Sequence, residues 1–151
     1  MTINQRKKGH DFERKIAKKL QEDLNLEKPV RRILSQYQEK NHPDLKLGRW
    51  NIECKKYKKG FEPATAWWEQ VLGVTSEGEF PALIYKFDNK PIRVRIMMAN
   101  LNKDFSDKTK LVDLNWESFT YWIAEKYEED VEGHRYWISM RENYCPKQLC
   151  Q

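Results

Sequence analysis

The sequence predicts an α/β fold (α+β sandwich-like) in which a central mixed β-sheet is flanked by helices. Apolar residues recur at helical spacing between His10 and about Leu24, which predicts an amphipathic helix. Apolar and polar residues alternate in segments 50–57 and 92–98, which is typical of half-buried strands. Helices and strands therefore follow one another along the chain and can pack as layers around one sheet.

Length and composition predict a single folded domain, residues 1–151, that binds a polyanion. Charged residues make up 34% and aromatic residues 13%, with six Trp and a net charge of +5. This charge favours nucleic acid as a partner, although a well-solvated surface is the simpler explanation. No apolar run is long enough to span a membrane, and the N-terminus lacks a signal-peptide core. An odd set of three cysteines fits a reducing cytoplasm; they are Cys54, Cys145 and Cys150.

The N-terminal residues 1–8 are expected to be a mobile basic arm before the first helix. Within the helix, Glu13 falls near the middle of the apolar arc rather than on the charged back. An inward acid requires a cationic neighbour, such as a metal ion or Lys55. The alternative is a first-turn glutamate that complements the helix dipole. The side chains of the arm that could touch phosphate are Arg6, Lys7 and Lys8.

The next element is a short strand predicted within Glu27–Ser35. It carries Arg31 and Arg32, which are either a solvated strand edge or contacts to phosphate. Ser35 ends the strand, where its hydroxyl could simply bond to local backbone.

The segment from His42 to Lys58 is predicted to form a hairpin that brings two carboxylates together. Gly48 marks a tight turn, and Asp44 lies nine residues before Glu53. Alternation in the second strand places Glu53 and Lys55 on one face. Two close carboxylates repel unless they share a proton or a cation, and oxygen ligands suit Mg²⁺ or Mn²⁺.

Further basic and aromatic residues follow this hairpin. The run of Lys56, Lys58 and Lys59 is either a solvated face or a contact surface for a nucleic-acid backbone. Pro63 can open a helix that buries Trp67 and Trp68 in the core, with Gln70 off its apolar line.

The second half of the sequence predicts structure without a functional motif. A hairpin is expected from strands 80–87 and 92–98, followed by a charged loop over 102–110. Asn115 can cap a helix whose aromatic stripe, reaching Tyr127, is core or dimer interface. A last short strand is expected over 134–140. A zinc site is weakly suggested by His134, Cys145 and Cys150.

Pro43-Asp44 followed by Glu53-Cys54-Lys55 resembles the signature of the PD-(D/E)XK nuclease superfamily. The order of Glu13, Ser35 and Gln70 around this signature is similar to that of archaeal-type and phage-type Holliday junction resolvases. The likeness covers about the first half of the chain. It implies a restriction-endonuclease-like fold and a metal-dependent endodeoxyribonuclease.

The resemblance also implies a role for each matching residue. Asp44, Glu53 and the backbone carbonyl of Cys54 would hold Mg²⁺, or Mn²⁺ in its place, and Glu13 would anchor a second ion or the water shell. Lys55 would orient or deprotonate the attacking water, or stabilise the pentacovalent state. Because carboxylates nearby favour a charged lysine, we favour the orienting and electrostatic role. Ser35 and Gln70 would assist, although the family often has glycine where this chain has Gln36.

By the same resemblance, a homodimer would cut four-way DNA junctions in recombination and repair. The protein is expected to be cytoplasmic, and to be prokaryotic, archaeal or encoded by a virus or phage. Three other functions fit the residues. They are a restriction-like or recombination exonuclease of the same fold, a non-catalytic DNA-binding module, and an aromatic-rich scaffold with an accidental motif.

Overall fold

A computed structural model describes residues 3–33 and 42–126 of the chain. Within these ranges the helices are α1 (Ile3–Asp23), α2 (Thr65–Gly73) and α3 (Trp116–Glu125). The strands are β1 (Arg31–Arg32), β2 (Leu45–Leu47), β3 (Trp50–Tyr57), β4 (Phe80–Phe87), β5 (Arg93–Met97) and β6 (Leu111–Asn115).

The six strands form one sheet in the order β1-β2-β3-β4-β5-β6. β3 and β4 are parallel, and every other neighbouring pair is antiparallel. A parallel pair needs a crossover connection, which α2 supplies. The predicted mixed sheet with flanking helices is therefore confirmed.

Helix α1 begins earlier than the sequence predicts. It starts at Ile3, so residues 3–8 are helical and the expected mobile arm is wrong over that stretch. The stretch contains no proline, and its Lys, Arg and Gln residues favour a helix. The helix ends in a Schellman motif: Asn25 has φ 51°, and the N–H of Leu26 donates to the carbonyl of Gln21 at 2.9 Å.

The predicted hairpin around Gly48 is confirmed as β2–β3. Gly48 has φ 58°, and Leu45 pairs with Ile52. The expectation that β3 is half-buried is wrong, because Glu53 is only 1% exposed. As a central strand between α1 and α2, β3 is covered on both faces, as strands in a parallel pair usually are.

Two hydrophobic layers enclose the sheet. The larger lies between one sheet face and helices α1 and α3; the smaller lies under α2 and includes Trp68 and Val71. Trp68 is buried, and Trp67 is half-buried beside this layer. The prediction that both tryptophans belong to the core is therefore confirmed. The buried residues of the larger layer include Phe12, Ile16, Leu20, Ile52, Ile84, Val94, Phe119 and Ile123.

The second half contains one strand that the sequence analysis missed. β4 and β5 form the predicted hairpin, and residues 102–110 form the predicted exposed loop. β6 then pairs with β5 as the edge strand. Asn115 caps α3 as predicted, since its Oδ1 accepts from the N–H of Ser118 at 2.7 Å. The strand expected over 134–140 lies outside the described residues.

Four more predicted residues lie outside the described ranges. They are Tyr127 and the three members of the suggested zinc site, His134, Cys145 and Cys150. Among the described residues, no helix combines the length and the apolar character needed to cross a membrane.

Candidate active site

The hairpin brings Asp44 and Glu53 face to face. Continuing the β2–β3 register by one residue beyond Leu45 and Ile52 places these two carboxylates opposite each other. Asp44 is oriented by the backbone of β3, because its Oδ2 accepts a hydrogen bond from the N–H of Cys54 at 2.9 Å. Directly opposed residues on one face lie close enough to interact, so both carboxylates share one small region of the sheet.

The buried carboxyl group of Glu53 is stable only with a bound proton or a nearby cation. Burial, followed by the negative charge of Asp44 and hydrogen bonding to it, raises the pKa of Glu53 to about 9. Its Oε1 is buried and receives no hydrogen bond from a donor in the described part of the chain. A buried carboxylate without compensation is unfavourable. At neutral pH the metal-free protein therefore keeps Glu53 protonated beside Asp44.

Gln70 reaches this carboxyl group from α2. Its Nε2 donates to Oε2 of Glu53 at 3.3 Å. The glutamine thus touches the carboxylate from the helix that covers this face of the sheet. This is the placement that the resemblance implied for Gln70.

Glu13 joins the same electrostatic cluster from α1. Burial and the negative charge of Asp44 raise the pKa of Glu13, and Glu13 in turn contributes to the raised pKa of Glu53. Among the described residues, the basic side chains that contact Glu13 are those of Arg32 and His10, not Lys55. Oε2 of Glu13 lies 3.5 Å from Nη2 of Arg32 and 3.6 Å from Nδ1 of His10.

Arg32 therefore faces the carboxylate cluster rather than solvent. Its side chain is 21% exposed, and its Nε is buried without a hydrogen-bond partner in the described residues. Arg31, its neighbour in β1, is exposed. The alternation of a strand sends the two guanidinium groups to opposite sides, so only Arg31 has the open position expected of a phosphate contact.

Lys55 lies one pleat beyond Glu53 on the same face of β3. It is half-buried, and its positive charge opposes the rise in the pKa of Glu53. The arrangement suits an ammonium that neutralises or orients, which is the role favoured from the sequence.

The carbonyl of Cys54 is directed towards Asp44. In an antiparallel ladder the N–H and C=O of one residue point to the same neighbour, and the N–H of Cys54 points to Asp44. Continuing the register places Pro43 opposite Cys54. Proline has no N–H, so Pro43 cannot donate to this carbonyl as an ordinary residue would. The carbonyl oxygen is thereby left for another partner.

The thiol of Cys54 plays no part in this cluster. It is buried in the larger hydrophobic layer, on the opposite face from Glu53. Burial, with the charge of Asp44, raises the pKa of the thiol well above its ordinary value. It is therefore a protonated, structural cysteine.

The remaining predicted residues are distributed around this cluster. Ser35 lies outside the described ranges, and Arg6 lies within α1. Five lysines on the helix and after the site are exposed: Lys7, Lys8, Lys56, Lys58 and Lys59.

Sequence reasoning missed two features that shape the site. His10 lies one helical turn before Glu13, and that spacing was the available signal. Asn51, also buried on the Glu53 face, donates to Oε1 of Glu79 at 3.0 Å. Although partial burial opposes it, hydrogen bonds from Lys46, from the Ser76 N–H and from Asn51 lower the pKa of Glu79 to about 2. This network anchors the start of β3, and its long sequence separations gave no local signal.

The oxygen atoms of the cluster suit a divalent ion, although a complete set of side-chain ligands is not assembled. No group of three or more His, Cys, Asp or Glu side chains in residues 3–33 and 42–126 is arranged to hold a metal. Asp44, Glu53 and the backbone carbonyl of Cys54 are nevertheless hard oxygen ligands of the kind Mg²⁺ binds. The unsatisfied Oε1 of Glu53 is the atom that such an ion would compensate.

Comparison with known proteins gave one finding. A protein-family model described as "Phage putative PDDEXK endonuclease" matches residues 4–143 of the chain. The match extends through β4, β5, β6 and α3, well beyond the first half in which the sequence motif lies. Searches of curated proteins and of solved structures returned no match.

Proposed function

Because the chain belongs to this family of phage PDDEXK endonucleases, we propose that it is a Mg²⁺-dependent, structure-selective DNA endonuclease. The observation that carries the proposal is the opposed pair Asp44 and Glu53, with the buried Oε1 of Glu53 left without a donor. Gln70 and Asp44 contact this carboxyl group, but its Oε1 remains the buried oxygen that a cation would compensate.

In this proposal Asp44, Glu53 and the Cys54 carbonyl hold the ion. When bound, the ion would offset the negative charge on the phosphoryl oxygens and lower the pKa of the water molecule that it binds. Glu53 gives up its proton on binding, because a nearby cation reverses the effect that raises its pKa. Gln70 keeps the Glu53 carboxylate in place through its hydrogen bond to Oε2.

Lys55 takes part in the reaction itself and is not a ligand of the ion. Its ammonium orients the attacking water or stabilises the pentacovalent state as the bond to the 3′-oxygen breaks. Glu13 serves a second ion or the water shell only if its contact with Arg32 opens. Otherwise Glu13 and Arg32 support the site as an ion pair.

The finer parts of the proposal concern substrate, assembly and location. We propose that residues 1–151 form one nuclease domain that resolves four-way junctions as a twofold homodimer, acting in DNA recombination and repair in the cytoplasm. A small basic domain suits recognition through backbone contacts and shape. The resemblance to Holliday junction resolvases supports this assignment.

The test is a cleavage panel with Mg²⁺, Mn²⁺ and EDTA on a four-way junction, a flap, a linear duplex and a single strand. Symmetric nicking of the junction with Mg²⁺ and none with EDTA is the expected result. Faster digestion of linear duplex would select the exonuclease alternative. Salt-sensitive binding without cleavage by any metal would select the DNA-binding module. Unchanged cleavage by Glu53→Gln protein would refute the assigned site.

A further inference from the structure

A large aromatic side chain lies exposed just beyond the candidate active site. Phe61 is 76% exposed, and it follows Lys55 by six residues along the chain. The intervening segment carries the exposed lysines Lys56, Lys58 and Lys59. An exposed phenylalanine among lysines offers a flat apolar face within a positive surface.

The backbone that carries Phe61 is held in a fixed position. Gly60 has φ +152°, and a Cβ at this position would lie 2.3 Å from the ring of Phe87. The carbonyl of Gly60 accepts a hydrogen bond from Nζ of Lys90 at 2.8 Å. The ring is therefore exposed on a backbone that is anchored at Gly60, the residue directly before it, rather than on a free loop.

Lys90 also holds the ring itself. Its Nζ lies 4.7 Å from the centroid of the Phe61 ring, within the range of a cation–π contact. One lysine thus fixes both the carbonyl before Phe61 and the aromatic ring. An aromatic surface held in place loses little conformational entropy when a ligand covers it.

A second aromatic side chain is presented at the same end of β3. Tyr57 is 47% exposed and stacks on Trp67, with ring centroids 4.7 Å apart. From the end of the strand that carries Glu53 and Lys55, the chain therefore presents lysines together with two aromatic rings, each of which contacts another side chain. This combination is the one that proteins use to bind unpaired nucleic acid, with cations along the backbone and rings under the bases.

We propose that Phe61 is a stacking platform for an unpaired nucleobase of the DNA strand that crosses the candidate active site. The inference rests on the proposed function and deepens it. It adds that a base beside the cleaved phosphate is unpaired in the complex, which at a four-way junction requires a base pair at the crossover to open, because a base inside a continuous duplex has no free face to stack on Phe61.

The test measures binding in EDTA, so that no cleavage is required. Fluorescence anisotropy compares a labelled oligothymidylate with a duplex of equal length for the wild-type, Phe61→Ala and Phe61→Trp proteins. We expect Phe61→Ala to weaken binding of the single strand by roughly 5- to 150-fold, the range that base–aromatic stacking supplies. Duplex binding should change by less than about twofold, since phosphate contacts supply it, and Phe61→Trp should restore single-strand affinity.

Phe105→Ala is the matched control. Phe105 is 43% exposed in the loop that carries Lys103, Lys108 and Lys110, so it is also an exposed phenylalanine among lysines. Phe105→Ala should leave the affinities for single-stranded and for duplex DNA unchanged. A 2-aminopurine base in the single strand gives a second readout, because stacking quenches its fluorescence in the wild-type complex and not with Phe61→Ala.

The outcomes separate this inference from the proposed function. Equal losses of single-strand and duplex affinity in Phe61→Ala, no loss of either, or the same loss in Phe105→Ala would each overturn the stacking role. Cleavage with Mg²⁺ would still stand in those cases. Selective loss for the single strand supports stacking, whether or not the same preparation cleaves the panel of DNA substrates.

Discussion

Asp44 and Glu53 face each other across the β2–β3 hairpin, and burial together with the charge of Asp44 raises the pKa of Glu53 to about 9. The two residues lie only nine positions apart in the chain, so a single tight turn is enough to oppose them. Without a metal ion Glu53 therefore keeps its proton at neutral pH, and a cation that binds its carboxyl group must displace that proton.

The first prediction concerns Glu53 and pH. A pKa raised from 4.5 to about 9 means that the folded state binds more protons than the unfolded state between those values. This contribution to stability is therefore complete below pH 4.5 and is lost as pH rises towards 9. Glu53→Gln, which imitates the protonated acid, should flatten that decline and raise the free energy of unfolding at pH 8 by about 1–3 kcal/mol.

Urea unfolding in EDTA at several pH values checks this prediction. Adding Mg²⁺ at pH 8 should stabilise the wild-type protein more than Glu53→Gln, because a neutral amide is a weaker ligand than a carboxylate while Asp44 remains in both proteins. A decline with pH that is equally steep in both proteins would show that Glu53 is not the titrating group.

The second prediction concerns Lys55. Lys55→Ala should lower the single-turnover cleavage rate by about 10²–10³-fold, the usual effect of removing one group that stabilises a transition state. The binding of Mn²⁺, followed by electron paramagnetic resonance, should persist because Lys55 is not a ligand. Lys18→Ala, on the solvent face of α1 with a 77% exposed side chain, serves as the control. Wild-type cleavage by Lys55→Ala would remove this residue from the mechanism.

The third prediction concerns Pro43. Pro43→Ala introduces an N–H opposite the carbonyl of Cys54, which can then be occupied by an ordinary ladder hydrogen bond. We expect the affinity for Mn²⁺ to fall about 10-fold, as when a supporting group of a metal site is changed. Calorimetric titration measures this affinity. Pro91→Ala, in the exposed turn of the β4–β5 hairpin, should bind as the wild type does; a similar loss there would point to general destabilisation.

The fourth prediction concerns Arg32. Removing its side chain takes away the guanidinium that contacts Glu13, so Arg32→Ala should destabilise the protein by about 1–3 kcal/mol at pH 8. The loss should be smaller at pH 5, because burial and the charge of Asp44 raise the pKa of Glu13 and so favour its neutral form as the pH falls. Arg31→Ala, at the exposed neighbouring position, should change stability by no more than about 0.5 kcal/mol.

Thermal and urea unfolding at both pH values distinguish the two arginine variants. Equal and small effects of Arg31→Ala and Arg32→Ala would mean that the Arg32–Glu13 contact contributes nothing to stability. In DNA binding the order should reverse, with the exposed Arg31 contributing more to phosphate contacts than the half-buried Arg32.

Local sequence patterns correctly predicted those elements that are specified by residues within one helical turn or one hairpin. Helical spacing predicted α1 and α2, Gly48 predicted the β2–β3 turn, and Asn115 predicted the cap of α3. Each of these depends on interactions between residues a few positions apart, for which periodicity and turn chemistry are direct indicators. The edge strand β6 was missed because its identity depends on pairing with β5, not on its own short pattern.

The sequence by itself predicted that Asp44 and Glu53 would meet, because a tight turn at Gly48 sets a register that opposes them, and that Lys55 would share the face of Glu53. Only the tertiary structure decided that α1 and α2 cover both faces of β3, and this coverage turns an ordinary glutamate into a buried acid. It also decided that Arg32, nineteen residues from Glu13, is the partner of that carboxylate. Desolvation and long-range pairing depend on how distant elements pack, and no local pattern encodes them.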